Sequence, residues 1–347
     1  MDRDGLVAGP LGLARGLDDL DRLEALDSYA AQMTAATARM LDDGVDALEV
    51  TQAVARANDV LTSRLLDLAE ARLGAPPYAC AWLALGSHGR GEQVLSSDQD
   101  SALVYGGPRL APGEAGAYFA GMATLVVDAL TRAGIPRCPG GYMATTWCHP
   151  LDTLTGYFQR WVGDPTPEDL LKAEVFLDVR PVHGALDAGL LDDILLSGGR
   201  HSGFLLQMAR ATGTFRPPHV VLGRLHTEHG LLDVKRGGAS AIVLLARLHA
   251  LAAGSSARTT MLRLRAAGES GQLSRAGAEQ LVDAYRLLTE LRLRHQVEQA
   301  RRGAPLDNRV RVDRLAADDR RRLRQAVRAV RVVQEITANR YQIHTLT

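Results

Sequence analysis

Two aspartates one residue apart, Asp98 and Asp100, stand at the entrance of the apolar run Ser101-Ala102-Leu103-Val104-Tyr105. Aspartate is disfavoured within strands, so a pair of them opening one needs a reason. At i and i+2 of an extended chain both carboxylates project from one face. There they can grip one hard divalent cation, or two close together, as a magnesium site does when it also binds substrate phosphates. Just upstream lies Gly86-Ser87-His88-Gly89-Arg90-Gly91-Glu92. The Gly86-Ser87 step lets backbone N–H groups approach a phosphate closely, and Ser87 adds a hydroxyl. Arg90 supplies a forked guanidinium suited to a triphosphate, and Glu92 is read as orienting Arg90, as receiving a metal-bound water, or as a surface acid. A cation on one segment and a triphosphate on the turn before it is the chemistry of nucleotidyl transfer.

The elements that position these residues follow from periodicity. Ala79–Leu85 and Ser101–Tyr105 read as buried strands on either side of the Gly-rich turn. Helical spacing is predicted over Leu20–Leu41, Val45–Arg72, Glu114–Ala133 and Asp152–Val162, while Leu170–Val182 starts helical and ends strand-like. Gly74-Ala75-Pro76-Pro77 closes the second helix, and residues 1–18 read as a loose arm. Beyond Arg200 arginine-rich amphipathic helices take over, at Ala239–Ala252, Arg258–Ala267, Arg275–Gln299 and Ala317–Tyr341, a bundle pattern. Three regions result: an N-terminal helical segment at 1–75, a catalytic module at 76–195 and a helical bundle at 200–347. The first two helices are expected either to dock on the catalytic module or to form a homodimer contact.

Composition narrows the class. Lys plus Arg and Asp plus Glu both number 40, so net charge gives no sign of nucleic acid or membrane as partner. The basic run Arg320-Arg321-Arg322-Leu323-Arg324, flanked by Asp318 and Asp319, reads as a solvated helix face. No leader sequence and no long apolar run is visible, which predicts a cytoplasmic protein. Cys80, Cys138 and Cys148 have neither disulfide nor zinc spacing and read as packing thiols. His226 and His229 lack the further ligands a zinc site needs. His295, mid-helix beside Gln296, reads as a buried histidine satisfied by a neighbour.

The Gly86–Asp100 segment resembles the DNA polymerase beta-like nucleotidyltransferase superfamily, whose signature is a Gly-Ser turn, a spacer and an Asp-x-Asp strand. More narrowly, it resembles the uridylyltransferase of the PII signalling protein. Closer still are the DUF294-type nucleotidyltransferases, often fused to CBS or cyclic-nucleotide-binding domains. Matches to that group continue at Cys138-Pro139-Gly140-Gly141-Tyr142-Met143-Ala144, Phe176–Gly184, Asp233-Val234-Lys235-Arg236-Gly237-Gly238 and Leu291–Gln296. An Asn-Pro pair expected before the tryptophan is replaced here by Thr145-Thr146-Trp147.

The resemblance implies an α+β fold: a polymerase-beta-like mixed sheet with flanking helices, N-terminal helices and a C-terminal helical substrate-binding bundle. It implies transfer of AMP or UMP from a nucleoside triphosphate to a hydroxyl of a protein or small molecule, with Mg²⁺ or Mn²⁺ and release of pyrophosphate. Asp98 and Asp100 would then be catalytic and metal-binding. Gly86, Ser87, Arg90, Glu92 and Tyr142 would bind nucleotide, with Tyr142 stacking on the base or else sitting in the core. Lys235 and Arg236, at an expected helix start, would attract a phosphate or an acidic acceptor. A third carboxylate is implied. Asp178 is the first choice, in an expected apolar strand where Arg180 is its competing partner, and Glu174 is the fallback. The alternatives are a nucleotide sensor without turnover and a toxin–antitoxin type protein modifier.

Overall fold

The computed structural model describes residues 26–107, 113–221 and 224–343. The chain divides into two compact units. One runs through Val45 and takes Glu49–Trp161 and Pro167–Ile194. The other takes Asp46–Leu48, Val162–Thr166 and the chain from Leu195 onward.

The first unit is built on a four-stranded mixed sheet of order β3-β2-β1-β4, with β1 Cys80–Ala84, β2 Ser101–Tyr105, β3 Cys148–Pro150 and β4 Arg180–His183. β1 pairs antiparallel with both β2 and β4, and β2 runs parallel to β3. Every position of β2 is buried, which explains its unbroken apolar run in place of alternation. Register places Trp82 opposite Leu103 and Cys80 opposite Tyr105, all on one face.

Two long helices build the core on that face. They are α2, Ala47–Leu73, following α1, Tyr29–Asp42, and α4, Glu114–Arg132, which follows the one-turn α3, Gly86–Gly89. Phe119, Met122, Val126, Val127 and Leu130 of α4 join Trp82 and Leu103 of the sheet and Leu61 and Leu65 of α2 in one cluster. Each side chain of that size stabilises by about 1.5–3 kcal/mol when fully buried. The Tyr105 and Phe119 rings stack at 4.4 Å. Tyr29 and Met33 of α1 belong to the same cluster, so the N-terminal helices pack into the first unit's core.

Helices α5, Leu151–Gly163, and α6, Pro167–Phe176, lead into β4, and α7 spans Gly189–Ser197. The second unit carries α8 Ser202–Ala211, α9 Ser240–Ala252, α10 Thr260–Glu269, α11 Arg275–Arg301 and α12 Ala317–Arg340, with two small antiparallel pairs of strands. Residues 239–251 of this unit are almost wholly buried, as a helix apolar on all sides requires, with α11 and α12 contributing to the same core. Among the described residues no helix is long and apolar enough to cross a membrane.

Predicted and observed boundaries agree to within a few residues for most long elements. The missed ones are short. α3, β3, α7 and α8 carry too few residues for periodicity to register. Residues 20–25 of the first expected helix lie outside the described residues.

Candidate active site

The Gly-Ser turn is a single helical turn rather than an open loop. Gly86 has φ +52°, a left-handed backbone natural to glycine, and Arg90 N–H closes the turn on Gly86 O at 3.1 Å. A Cβ on Gly86 would stand 2.5 Å from Asp100 Oδ2, so glycine is what lets the turn approach this carboxylate. Ser87 is half-buried beside it.

Asp98 and Asp100 precede β2 instead of lying within it, a correction to the expected Asp-x-Asp strand. The segment is nonetheless held extended, because Gln99 bridges Arg137 in parallel register. The Gln99 amide donates to Ile135 O at 2.8 Å and Thr131 Oγ1 at 3.0 Å, and its N–H donates to Pro136 O at 2.9 Å. With Gln99 anchored inward on α4 and the loop after it, alternation aims both aspartates the other way.

That loop delivers an unexpected neighbour. Ligand atoms of Asp98, Asp100 and Cys138 all lie within 4.8 Å of one another. Burial and the charge of Asp100 push the Cys138 thiol up to about 11, against a backbone hydrogen bond from Tyr142. Sequence reasoning read Cys138 as a packing thiol. The bridge that aligns 137 with 99 is a long-range pairing that spacing does not encode. The one available signal was Cys138 heading the Cys-Pro-Gly-Gly motif.

Gly140 and Gly141 shape this loop. Gly141 has φ +75°, and a Cβ on Gly140 would press the Tyr142 ring at 3.0 Å. Tyr142 is half-buried and lies nearly parallel to Trp147, with centroids 6.2 Å apart. Trp147 in turn meets Tyr157, Trp161 and Phe176 edge-on. Burial raises the Tyr142 phenol, as do the charges of Cys138, Glu174 and Asp100, so Glu174 of α6 acts on the same surroundings as the Asp pair.

A second acidic cluster gathers on Arg90, at the end of α3. Arg90 Nε donates to Glu92 Oε2 at 2.7 Å, and Arg90 also pairs with Asp178. All three are buried, Asp178 at 1% exposure. Asp178 sits in the turn between α6 and β4, not in the expected strand, and its guanidinium partner is Arg90 rather than Arg180. A Cβ on Gly89 would fall 1.8 Å from Asp178 O, so backbone meets backbone there.

Arg180 reaches back in the opposite sense, donating to His88 O at 3.1 Å, Gly89 O at 3.2 Å and Asp59 Oδ1 at 2.9 Å. His88 Nε2 meets the same Asp59 oxygen at 2.7 Å. Burial alone would raise the Asp59 carboxyl, but bonds to His88 and Arg180 outweigh it and hold it low. Asp59 had no place in the sequence reading, and Arg180 entered it only as a partner for Asp178, because α2 lies far from β4 in the chain.

The remaining motifs fall in the second unit. Lys235 and Arg236 are exposed on a π-helical turn, Lys235–Ala239, rather than at a simple helix start, and Asp233 accepts the Arg236 N–H at 2.9 Å. Gly238 packs so tightly that a Cβ would touch Leu288 at 2.6 Å. His295 is only half-buried and bonds Asp307 at 2.8 Å, whereas Gln296 is fully buried and donates to Asn308 at 3.2 Å. Asn308 O accepts Val234 N–H at 2.9 Å, so the 233–238 and 291–296 motifs meet through one segment.

Comparison with known proteins agrees with this architecture. Residues 31–168 match the family described as "Putative nucleotidyltransferase DUF294". Residues 202–341 match the "Putative nucleotidyltransferase substrate binding domain". The chain is also 27% identical over 286 residues to a bifunctional glutamine synthetase adenylyltransferase/adenylyl-removing enzyme of Cutibacterium acnes. The match covers 76% of this chain but only 27% of that enzyme's length. With a mixed sheet carrying the Gly-Ser turn and the Asp pair, and both models together covering most of its length, the chain belongs to the DUF294 nucleotidyltransferase family.

Proposed function

We propose that the protein transfers a nucleoside monophosphate from a metal-bound nucleoside triphosphate to a hydroxyl acceptor. The observation that carries this is the approach of the Gly86 turn to Asp100, with Asp98 and Cys138 beside it. The two carboxylates and their place next to the Gly86 turn suit Mg²⁺ or Mn²⁺. Such an ion, when bound, would offset charge on the α-phosphate and on the leaving pyrophosphate.

The chain's own groups supply the rest. The acceptor oxygen forms a bond to the α-phosphorus, the bond from that phosphorus to the bridging oxygen breaks, and pyrophosphate leaves with the electron pair. Ser87 and the turn N–H groups would hold the triphosphate, and Tyr142 would offer its ring to the base. The acceptor proton needs a carboxylate. Asp178 is bonded to Arg90 and shut away from solvent, which suits a residue that positions α3. Glu174, whose charge reaches Tyr142, is the better general base. Arg90 and Glu92 likewise act through the shape of the turn. Lys235 and Arg236, exposed on the second unit, would favour an acidic acceptor.

The relative's name specifies adenylyl transfer to a protein, which favours AMP and a protein hydroxyl here. Incubating the full chain with each α-labelled triphosphate, Mg²⁺ or Mn²⁺ and cell lysate tests this. A labelled band with one nucleotide, lost in Asp98→Asn with Asp100→Asn, is expected. Equal labelling by wild type and double variant would refute it.

A further inference from the structure

We infer that Cys138 Sγ is a third donor to the cation held by Asp98 and Asp100, making a mixed carboxylate–thiolate site that also accepts thiophilic divalent ions such as Cd²⁺ and Co²⁺. This rests on the reading of the Asp pair as a metal site. The geometry comes first. Three donor atoms, two oxygens and one sulfur, lie within 4.8 Å of one another. Donors sharing one ion with bonds of about 2.0–2.3 Å stand roughly 3–4.4 Å apart, so the cluster closes on an ion with a shift of a few tenths of an ångström.

The thiol is also built in. Gln99 between the aspartates bridges Arg137, which brings residue 138 alongside Asp100. Gly141 N–H donates to Cys138 O at 3.1 Å, which ties down the turn that carries the sulfur. Two carboxylates beside that sulfur repel a bare thiolate. A divalent cation between the three reverses the sign of that interaction. Sulfur favours softer ions than the oxygen-only sites that suit Mg²⁺.

Metal-stripped full-length protein is titrated with Co²⁺ and Cd²⁺ and followed by ultraviolet absorption. A sulfur-to-metal charge-transfer band is expected. It should vanish in both Cys138→Ser and Cys138→Ala, checked as folded by thermal melting, and persist in Cys80→Ser and Cys148→Ser. Cd²⁺ affinity should fall at least ~10-fold in Cys138→Ser, while Mn²⁺ affinity changes by less than ~3-fold. A band that survives in the Cys138 variants, or Cd²⁺ binding without any band, would overturn the inference. Asp98→Asn with Asp100→Asn separates the two claims. If it abolishes Mn²⁺ binding while the Cys138 results fail, only the thiol's role falls. If it leaves Mn²⁺ binding unchanged, the metal site itself falls.

Discussion

Two acidic clusters draw on one stretch of chain and are treated in different ways. Glu92 and Asp178 close on the Arg90 guanidinium, buried and charge-compensated. Asp98 and Asp100 converge on a thiol. A buried carboxylate is tolerable when a cation of the protein neutralises it. Under the proposed function, the carboxylates gathered on a thiol receive their cation from outside. The first cluster therefore belongs to the frame of the site and the second to its chemistry, although one motif of fifteen residues, Gly86–Asp100, supplies residues to both.

Thermal stability should separate the clusters. The largest loss is expected from Arg90→Ala, about 3–5 kcal/mol, because it removes the guanidinium that pairs with two buried carboxylates. A denaturant melt of this variant with a loss under ~1 kcal/mol would break the comparison. Gly89→Ala should follow at about 3 kcal/mol, since its Cβ meets the Asp178 carbonyl and backbone has to move. Gly86→Ala should cost about 1–2 kcal/mol for its left-handed backbone. It should weaken nucleotide binding more than stability, as its Cβ lands on Asp100 Oδ2. Calorimetry beside the melt checks both halves. Smallest is Asp98→Asn, within ~0.5 kcal/mol of wild type, because it removes no ion pair of the frame. A loss as large as that of Arg90→Ala would mean that Asp98 is structural.

Much of this arrangement was legible in the sequence, for identifiable reasons. The long helices α2, α4, α11 and α12 announce themselves by apolar stripes, and α9 by a nearly unbroken apolar run. Asp98 and Asp100 stood out because aspartate is disfavoured at an apolar strand, and Gly86-Ser87 gained meaning from standing just upstream of that pair. What stayed hidden is tertiary. Asp178 reads as a lone acid in an apolar strand, yet it sits in a turn and its partner is 88 residues away. Glu92, two residues from Arg90, is a partner the sequence offers, whereas the second carboxylate, Asp178, comes from 88 residues away. Cys138 looks like any packing thiol until the 99–137 bridge places it beside Asp100.

The central claim is that Asp98 and Asp100 bind a metal-bound nucleotide. Isothermal titration of Mn²⁺–ATP into the wild-type chain and into Asp98→Asn with Asp100→Asn measures it directly. The expected result is saturable binding by wild type and a loss of at least ~100-fold, about 2.7 kcal/mol, in the double variant, with an unchanged melting temperature. Equal affinity in the two proteins would contradict it.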